Sequence, residues 1–211
     1  MENLSQFFEI LFDSEKLIYY GGLALLLAVI FAETGLFFGF IFPGDALLFT
    51  AGLLCGTQYL DIPLWLLTGS VAVSAFMGNV TGFFTGRYFG KRLFQKKDSF
   101  FFKQRHLEKS HAYYEKFGGI ALIGGRFLPV IRTFVPILAG AIEMNGWKFN
   151  LYNLIGALLW SGSLIPIGYF IGKKFPASLD NLEYIVLGIT LVTMTLLISS
   201  IIRLRKKTPG S

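Results

Sequence analysis

Two apolar runs, each too long for one plain helix and each cut by proline, constrain this chain more than any other feature. From Leu17 to Leu60 the only charges are Glu33 and Asp45, and Pro43-Gly44 interrupts the run. From Gly118 to Ile142 the only charges are Arg126 and Arg132, and Pro129 and Pro136 interrupt that one. A helix crossing a bilayer needs about 20 consecutive apolar residues. Irregular backbone is tolerated at membrane depth only where protein or water covers it. Each broken run therefore reads as a re-entrant hairpin that enters and leaves on one side, over residues 33–60 and 118–142.

Composition agrees with a membrane solvent. The chain is 54% hydrophobic and 15% charged, where a soluble domain carries about 25% charge. The apolar runs are continuous, which excludes the alternating ~10-residue strands of an outer-membrane barrel. The net charge of +6 sits in clusters that topology explains, so nucleic acid is not an expected partner. Cys55 is the single cysteine, which excludes an intrachain disulfide and a cysteine-based metal site. No basic leader precedes an apolar core at the start, so no cleaved signal peptide is expected.

In order, residues 1–16 read as an amphipathic helix at the interface and residues 17–32 as the first span. Asp45, following Pro-Gly, is placed to cap a helix over Ala46 to Leu54. A second span covers residues 64–90. It carries Ser70, Ser74, Gly78, Gly82, Gly86 and Gly90 at four-residue intervals, the spacing that lets helix backbones approach in lipid. Asn79 lies beside this ladder. Residues 91–117 are basic with interleaved aromatics, the mark of a cytoplasmic segment resting on anionic headgroups. Residues 149–172 and 182–202 are the remaining spans, and residues 203–211 a basic tail. With the long basic segment and the tail inside, both termini are cytoplasmic. Lys173 and Lys174 then lie outside, against the charge rule.

The fold class expected is an all-α polytopic membrane protein with two inverted repeats. Each repeat is a re-entrant helical hairpin plus a transmembrane helix, with additional N- and C-terminal helices. Gly86-Arg87-Tyr88-Phe89-Gly90 echoes Gly168-Tyr169-Phe170-Ile171-Gly172, and Ala51-Gly52 echoes Ala139-Gly140. Inverted repeats with broken helices are a transporter design.

A charge at the bilayer centre costs roughly 2.5–3.5 kcal/mol on insertion scales, so four such charges must pair or line a wet cavity. Pairing alone would make them ionic glue between hairpins. The functional reading gives Arg126 and Arg132 a phosphate, whose oxygens match the guanidinium fork. It gives Glu33 and Asp45 the coupling of substrate movement to protons or another cation. Pro43, Gly44, Asn79, Gly86, Arg87, Gly90, Pro129, Pro136 and Gly140 support the hairpins and their packing.

Glu33-Thr34-Gly35-Leu36, Phe42-Pro43-Gly44-Asp45, Gly86-Arg87-Tyr88-Phe89-Gly90, Gly125-Arg126-Phe127-Leu128-Pro129-Val130-Ile131-Arg132, Pro136 and Ala139-Gly140 together resemble the DedA family of bacterial membrane proteins. Its eukaryotic relatives carry the VTT, or SNARE-associated Golgi, domain. The resemblance covers about Leu17 to Gly172. It implies movement of lipids across the bacterial cytoplasmic (inner) membrane, undecaprenyl phosphate among them, with links to phosphatidylethanolamine and proton-motive force. The family's acidic pair matches Glu33 and Asp45, and its arginine pair matches Arg126 and Arg132.

The leading expectation is a flippase for a phosphate-headgroup lipid, either a polyprenyl phosphate or a phospholipid, coupled to protons or Na+. It needs no cofactor, and homo-oligomers are allowed. Competing readings are an ion-coupled exporter of small cations, a phosphatidylethanolamine or phospholipid scramblase, and a passive scaffold. An intramembrane lipid phosphatase is disfavoured, because His106 and His111 both lie in the polar segment and off one helical face. The chain is accordingly not expected to be an enzyme or to hold a metal.

Overall fold

The computed structural model describes residues 14–36, 44–95 and 119–175, with Gly188 and Thr195. Most of the interfacial helix expected over residues 1–16 lies outside the described residues. So do Pro43, most of the basic segment over 91–117 with its two histidines, the span over 182–202 apart from those two positions, and the tail. Among the described residues the chain is all-helical, with no named strand and one isolated bridge between Cys55 and Leu60.

Over the continuously described residues six helices follow one another: α1 Ser14–Gly35, α2 Gly44–Leu54, α3 Leu64–Gln95, α4 Ile120–Gly125, α5 Pro129–Ala141 and α6 Gly146–Lys174. Among the described residues, α3 over Leu64–Phe89 and α6 over Gly146–Lys174 are long and apolar enough to cross a membrane. Both expose large apolar side chains, Val73, Met77 and Phe84 on one, Leu151, Leu158 and Phe170 on the other. In a membrane protein such faces meet lipid rather than water. Each also opens on an exposed tryptophan, Trp65 at 74% and Trp147 at 79%, the residue type that favours the headgroup level.

α1 covers the residues 17–32 expected to form the first span and is kinked within them. Gly22 stands at φ 53, ψ −150, a backbone region that only glycine visits readily. The uninterrupted apolar stretch is Gly21–Gly35, which is short of a full crossing. Glu33 lies in the last turn of this helix. Asp45 is shifted by a turn boundary. α2 starts at Gly44, so Asp45 sits inside the first turn, where a carboxylate favours the positive end of the helix dipole, and not before Ala46 as a cap.

The turn after α2 is tied by side chains. Thr57 Oγ1 donates to the Leu54 carbonyl at 2.6 Å, and the Cys55 thiol donates to Ile62 O at 3.2 Å. Gly56, at φ 77, makes the reversal. At the start of α6, Asn145 Oδ1 accepts from the backbone N–H of Trp147 and Lys148 at 3.0 and 3.2 Å, an N-cap that satisfies two of the first turn's orphan donors.

By contacts the chain forms two units. One holds residues 14–26, 44–67 and 163–175; the other holds residues 27–36, 68–95 and 119–162. In the first unit α2 packs on α6 through a reciprocal glycine joint. A Cβ on Gly52 would overlap the Ile165 carbonyl, and one on Gly168 would overlap the Phe49 carbonyl. In the second unit α5 packs on α3 in the same manner. A Cβ on Gly140 would overlap the Phe83 carbonyl, and one on Gly86 the Ile137 carbonyl. Each glycine thus faces the carbonyl three residues before its partner glycine, in both units. The separation along the chain from Phe83 to Ile165 equals that from Gly86 to Gly168 and from Trp65 to Trp147.

The second unit adds further joints. Gly78 meets Gly35 backbone to backbone, a Cβ on Gly35 lying 2.8 Å from Gly78 O, and Ser74 Oγ donates to Leu27 O at 2.7 Å. Gly82 lies against Pro136, whose Cβ would be 3.5 Å from an added methyl. The four-residue ladder of α3 therefore serves two neighbours, α1 on its early steps and α5 on its later ones. Phe83, Leu122, Ala139 and Phe149 close this unit's apolar core, with Phe83 and Phe149 stacked at 4.3 Å between centroids.

Candidate functional site

A proline sets the local geometry. Pro129 disfavours helical backbone at the residue before it, and Leu128 is extended at φ −115, ψ 112. α4 therefore ends at Gly125. The backbone N–H of Arg126, Phe127 and Leu128 close tight three-residue bonds to Ile123, Gly124 and Gly125 at 3.1–3.3 Å. α5 restarts at Pro129, where a missing N–H does no harm, and α4 packs on α5. The two arginines so flank a break. Arg126 sits at the end of one short helix and Arg132 in the first turn of the next. Pro136, inside α5, cannot donate to the carbonyl one turn back, which belongs to Arg132.

Both guanidiniums are buried in the second unit, each residue 2% exposed. Their surroundings differ. Arg132 Nη2 forms an ion pair with Glu33 Oε1, and the Arg132 guanidinium carbon lies 4.6 Å from the centroid of the Trp160 ring. Arg126 has no carboxylate partner among the described residues. Its Nη1 donates twice to one residue, to Asn153 O at 3.0 Å and to Asn153 Oδ1 at 2.9 Å. Its Nε and Nη2 have no hydrogen-bond partner among the described residues. The same tryptophan stands 5.8 Å from its guanidinium carbon.

Asn153 is held in turn. Its Nδ2 donates to Phe76 O at 3.0 Å. Asn79 joins the network in either amide orientation. In one, its Nδ2 donates to Asn153 Oδ1 at 2.9 Å. In the other, it donates to Thr34 O at 3.1 Å and its oxygen faces Arg126 Nη1 at 3.2 Å.

A buried charge that keeps unmade donors is costly: each unsatisfied group forfeits roughly 1–3 kcal/mol, more when charged. An anion with two or more acceptor oxygens placed at Nε and Nη2 would recover that loss. A neutral acceptor would satisfy the donors but leave the buried charge uncompensated, and a cation would do neither.

Among the sequence candidates, the second unit brings Glu33, Arg132, Arg126 and Asn79 together. Asp45 is half-buried and belongs to the first unit. Gly86, Pro136 and Gly140 lie at the α3–α5 joint, Arg87 is exposed, and Gly44, Gly90 and Pro129 are helical positions. Asn153 and Trp160 were missed by sequence reading. The signal was present: Phe149, Asn153, Gly156, Ala157 and Trp160 recur at helical spacing, and all five are buried on α6. An asparagine on such a stripe is a polar group in need of a partner.

A VTT domain is matched over residues 42–170. The chain is 38% identical over 180 residues to Protein DedA of Escherichia coli K12, which spans 85% of this chain and 82% of that protein. The chain belongs to the VTT-domain, or DedA, family. An uncharacterized membrane protein of Mycobacterium leprae is 44% identical over 168 residues, 80% of this chain and 74% of the relative. The inner membrane protein YqjA of Escherichia coli K12 is 29% identical over 191 residues, 89% and 86% of the two chains. No solved structure matches. The VTT match contains Arg126, Arg132, Asn79, Asn153 and Trp160 and begins after Glu33; as a DedA-family chain this is a membrane protein, consistent with its two long apolar helices.

Proposed function

We propose that this DedA-family protein carries a lipid with a phosphate headgroup, undecaprenyl phosphate before others, across the bacterial cytoplasmic membrane. One observation supports the reading above all: Arg126 is buried, has no carboxylate partner among the described residues, and keeps two nitrogens unbonded. A phosphate on this guanidinium leaves the lipid tail in the bilayer while the headgroup occupies a dry polar site. Arg132 is the second phosphate ligand, released to it as Glu33 lets go. Glu33 and Asp45 couple that exchange to a proton or another cation, because a carboxylate leaving an arginine can take up a proton.

The reciprocal glycine joints favour a pair of inverted repeats, each a re-entrant hairpin followed by a long helix, α2 with α3 and α5 with α6, the hairpin helix of each packing on the long helix of the other. That arrangement gives alternate access by exchange between two equivalent packings. Both termini are cytoplasmic in this reading, and anionic headgroups meet the basic segment over 91–117.

Reconstitution in liposomes with labelled undecaprenyl phosphate tests the function. Wild type is expected to move the lipid between leaflets, while Arg126→Gln and Arg132→Ala are expected to abolish movement. Equal rates for wild type and both variants would overturn the reading. Loss on Glu33 or Asp45 substitution alone, with headgroup affinity intact in Arg126→Gln, would make the chain a cation exporter instead.

A further inference from the structure

The Arg126 guanidinium has five N–H donors in a fixed planar fork. Asn153 takes both hydrogens of one nitrogen, Nη1, with its backbone oxygen at 3.0 Å and its side-chain oxygen at 2.9 Å. This double hold by a single residue fixes the plane and the rotation of the fork. It also blocks the end-on edge, which needs Nη1 and Nη2 together. What stays open is the side-on edge, where the N–H of Nε and one N–H of Nη2 run parallel. Both nitrogens are buried and, among the described residues, unbonded.

We propose that Asn153 is a positioning residue that holds Arg126 by Nη1 so that its Nε–Nη2 edge grips two oxygens of a phosphate ester side-on. This rests on the reading of Arg126 as the headgroup ligand. The choice of amide over carboxylate is the telling part. An aspartate at position 153 would make the same bonds to Nη1 but would cancel the charge that attracts the anion. An asparagine orients without neutralising. Asn79 repeats the principle one shell out, since it contacts Asn153 Oδ1 in one orientation and Arg126 Nη1 in the other, and it too is neutral. Selectivity follows from the edge: two parallel donors match two oxygens on one phosphorus, a geometry a lone ammonium does not supply.

The test uses full-length protein in nanodiscs of phosphatidylcholine. Affinity is measured for undecaprenyl phosphate, for undecaprenol without the phosphate, and for inorganic phosphate. Thermal melting is read on the same samples. Wild type is expected to bind undecaprenyl phosphate and not undecaprenol. Binding of inorganic phosphate as well supports the edge with no demand for a tail, and its absence assigns the edge to the lipid headgroup. Asn153→Asp is expected to weaken undecaprenyl phosphate by about tenfold or more, as neutralising a charge at a desolvated contact does, while still melting as a folded protein, the lost Nδ2 donation to Phe76 O being offset by the new ion pair with Arg126. A purely structural asparagine predicts wild-type affinity in this variant, and that result would overturn the inference. Should Asn153→Asp fail to fold, Asn79→Asp carries the same test, because it too sets a carboxylate beside Nη1. Wild-type affinity there overturns the proposal equally. If Arg126→Gln loses the lipid while both aspartate variants keep it, the positioning role falls and the headgroup reading stands. If wild type binds neither phosphate probe, both fall together.

Discussion

The α2–α6 joint and the α5–α3 joint are built alike and carry different chemistry. In each, two glycines bring helix backbones together, and each glycine faces the carbonyl three residues before its partner. Around the first joint the buried residues are apolar or small: Leu47, Leu48, Ala51, Leu53 and Ile165, with Thr50. The second joint shares its unit with Glu33, Asn79, Arg126, Arg132 and Asn153, all buried. The backbone contact thus repeats and the polar residues do not. In lipid, helices gain nothing by hiding apolar side chains from one another, so close backbone approach at small residues does the holding. That task is served identically twice. Charges are tolerated only where partners or a ligand compensate them, and here one unit concentrates them.

The comparison can be broken most forcefully at Glu33. Glu33→Gln removes the carboxylate from its buried ion pair with Arg132, and breaking such a pair costs about 3–5 kcal/mol. A marked drop in melting midpoint in detergent is expected, with transport lost; a wild-type melt would show that the pair is not buried as described. Next come the joints themselves. Gly86→Ala and Gly168→Ala each force a methyl into a facing carbonyl, and overpacking of this kind costs about 1–3 kcal/mol. Matched melting losses are expected from the two, while headgroup affinity should fall in Gly86→Ala alone. Equal loss of affinity in Gly168→Ala would erase the division of labour between the units.

Smaller still is the effect at Trp160. Its ring serves both guanidiniums, and cation–π contacts contribute about 0.5–2 kcal/mol depending on desolvation. Trp160→Phe should retain the fold and weaken headgroup binding by a factor of a few; an unchanged affinity would remove the ring from the site. Smallest are Gly69→Ala and Gly162→Ala. A Cβ at either meets nothing within 4 Å, so these variants should melt at or slightly above wild type, by about 0.5–1 kcal/mol. Clear destabilisation at either would mean that glycine as such, and not the close approach, matters in α3 and α6.

Much of the site was legible. Arg126 and Arg132 stand out because ionised side chains in apolar runs demand an explanation, and Pro129 announces the break between them. The α3 ladder is visible as a four-residue rhythm, and its service to two neighbours follows from a helix of 3.6 residues per turn. Gly22 is different. A glycine in an apolar run signals nothing about whether its backbone will leave the helix, so the kink at Gly22 could not be read from the sequence. Asp45 was misplaced by one turn boundary, because a Pro-Gly-Asp string starts a helix equally well at the glycine. Asn153 and Trp160 went unnoticed for want of a partner. An asparagine in a span becomes meaningful only when an arginine from another helix reaches it.

By itself the sequence determined that this chain is a helical membrane protein, that four charges need compensation, and that proline breaks separate the arginines. Those follow from hydropathy and covalent geometry, which act locally. Only the tertiary structure decided that Arg132 goes to Glu33, that Arg126 goes to Asn153, and which nitrogens are left over. The reason is that a hydrogen bond between distant residues depends on how helices cross, and crossing is set by which glycines meet which carbonyls.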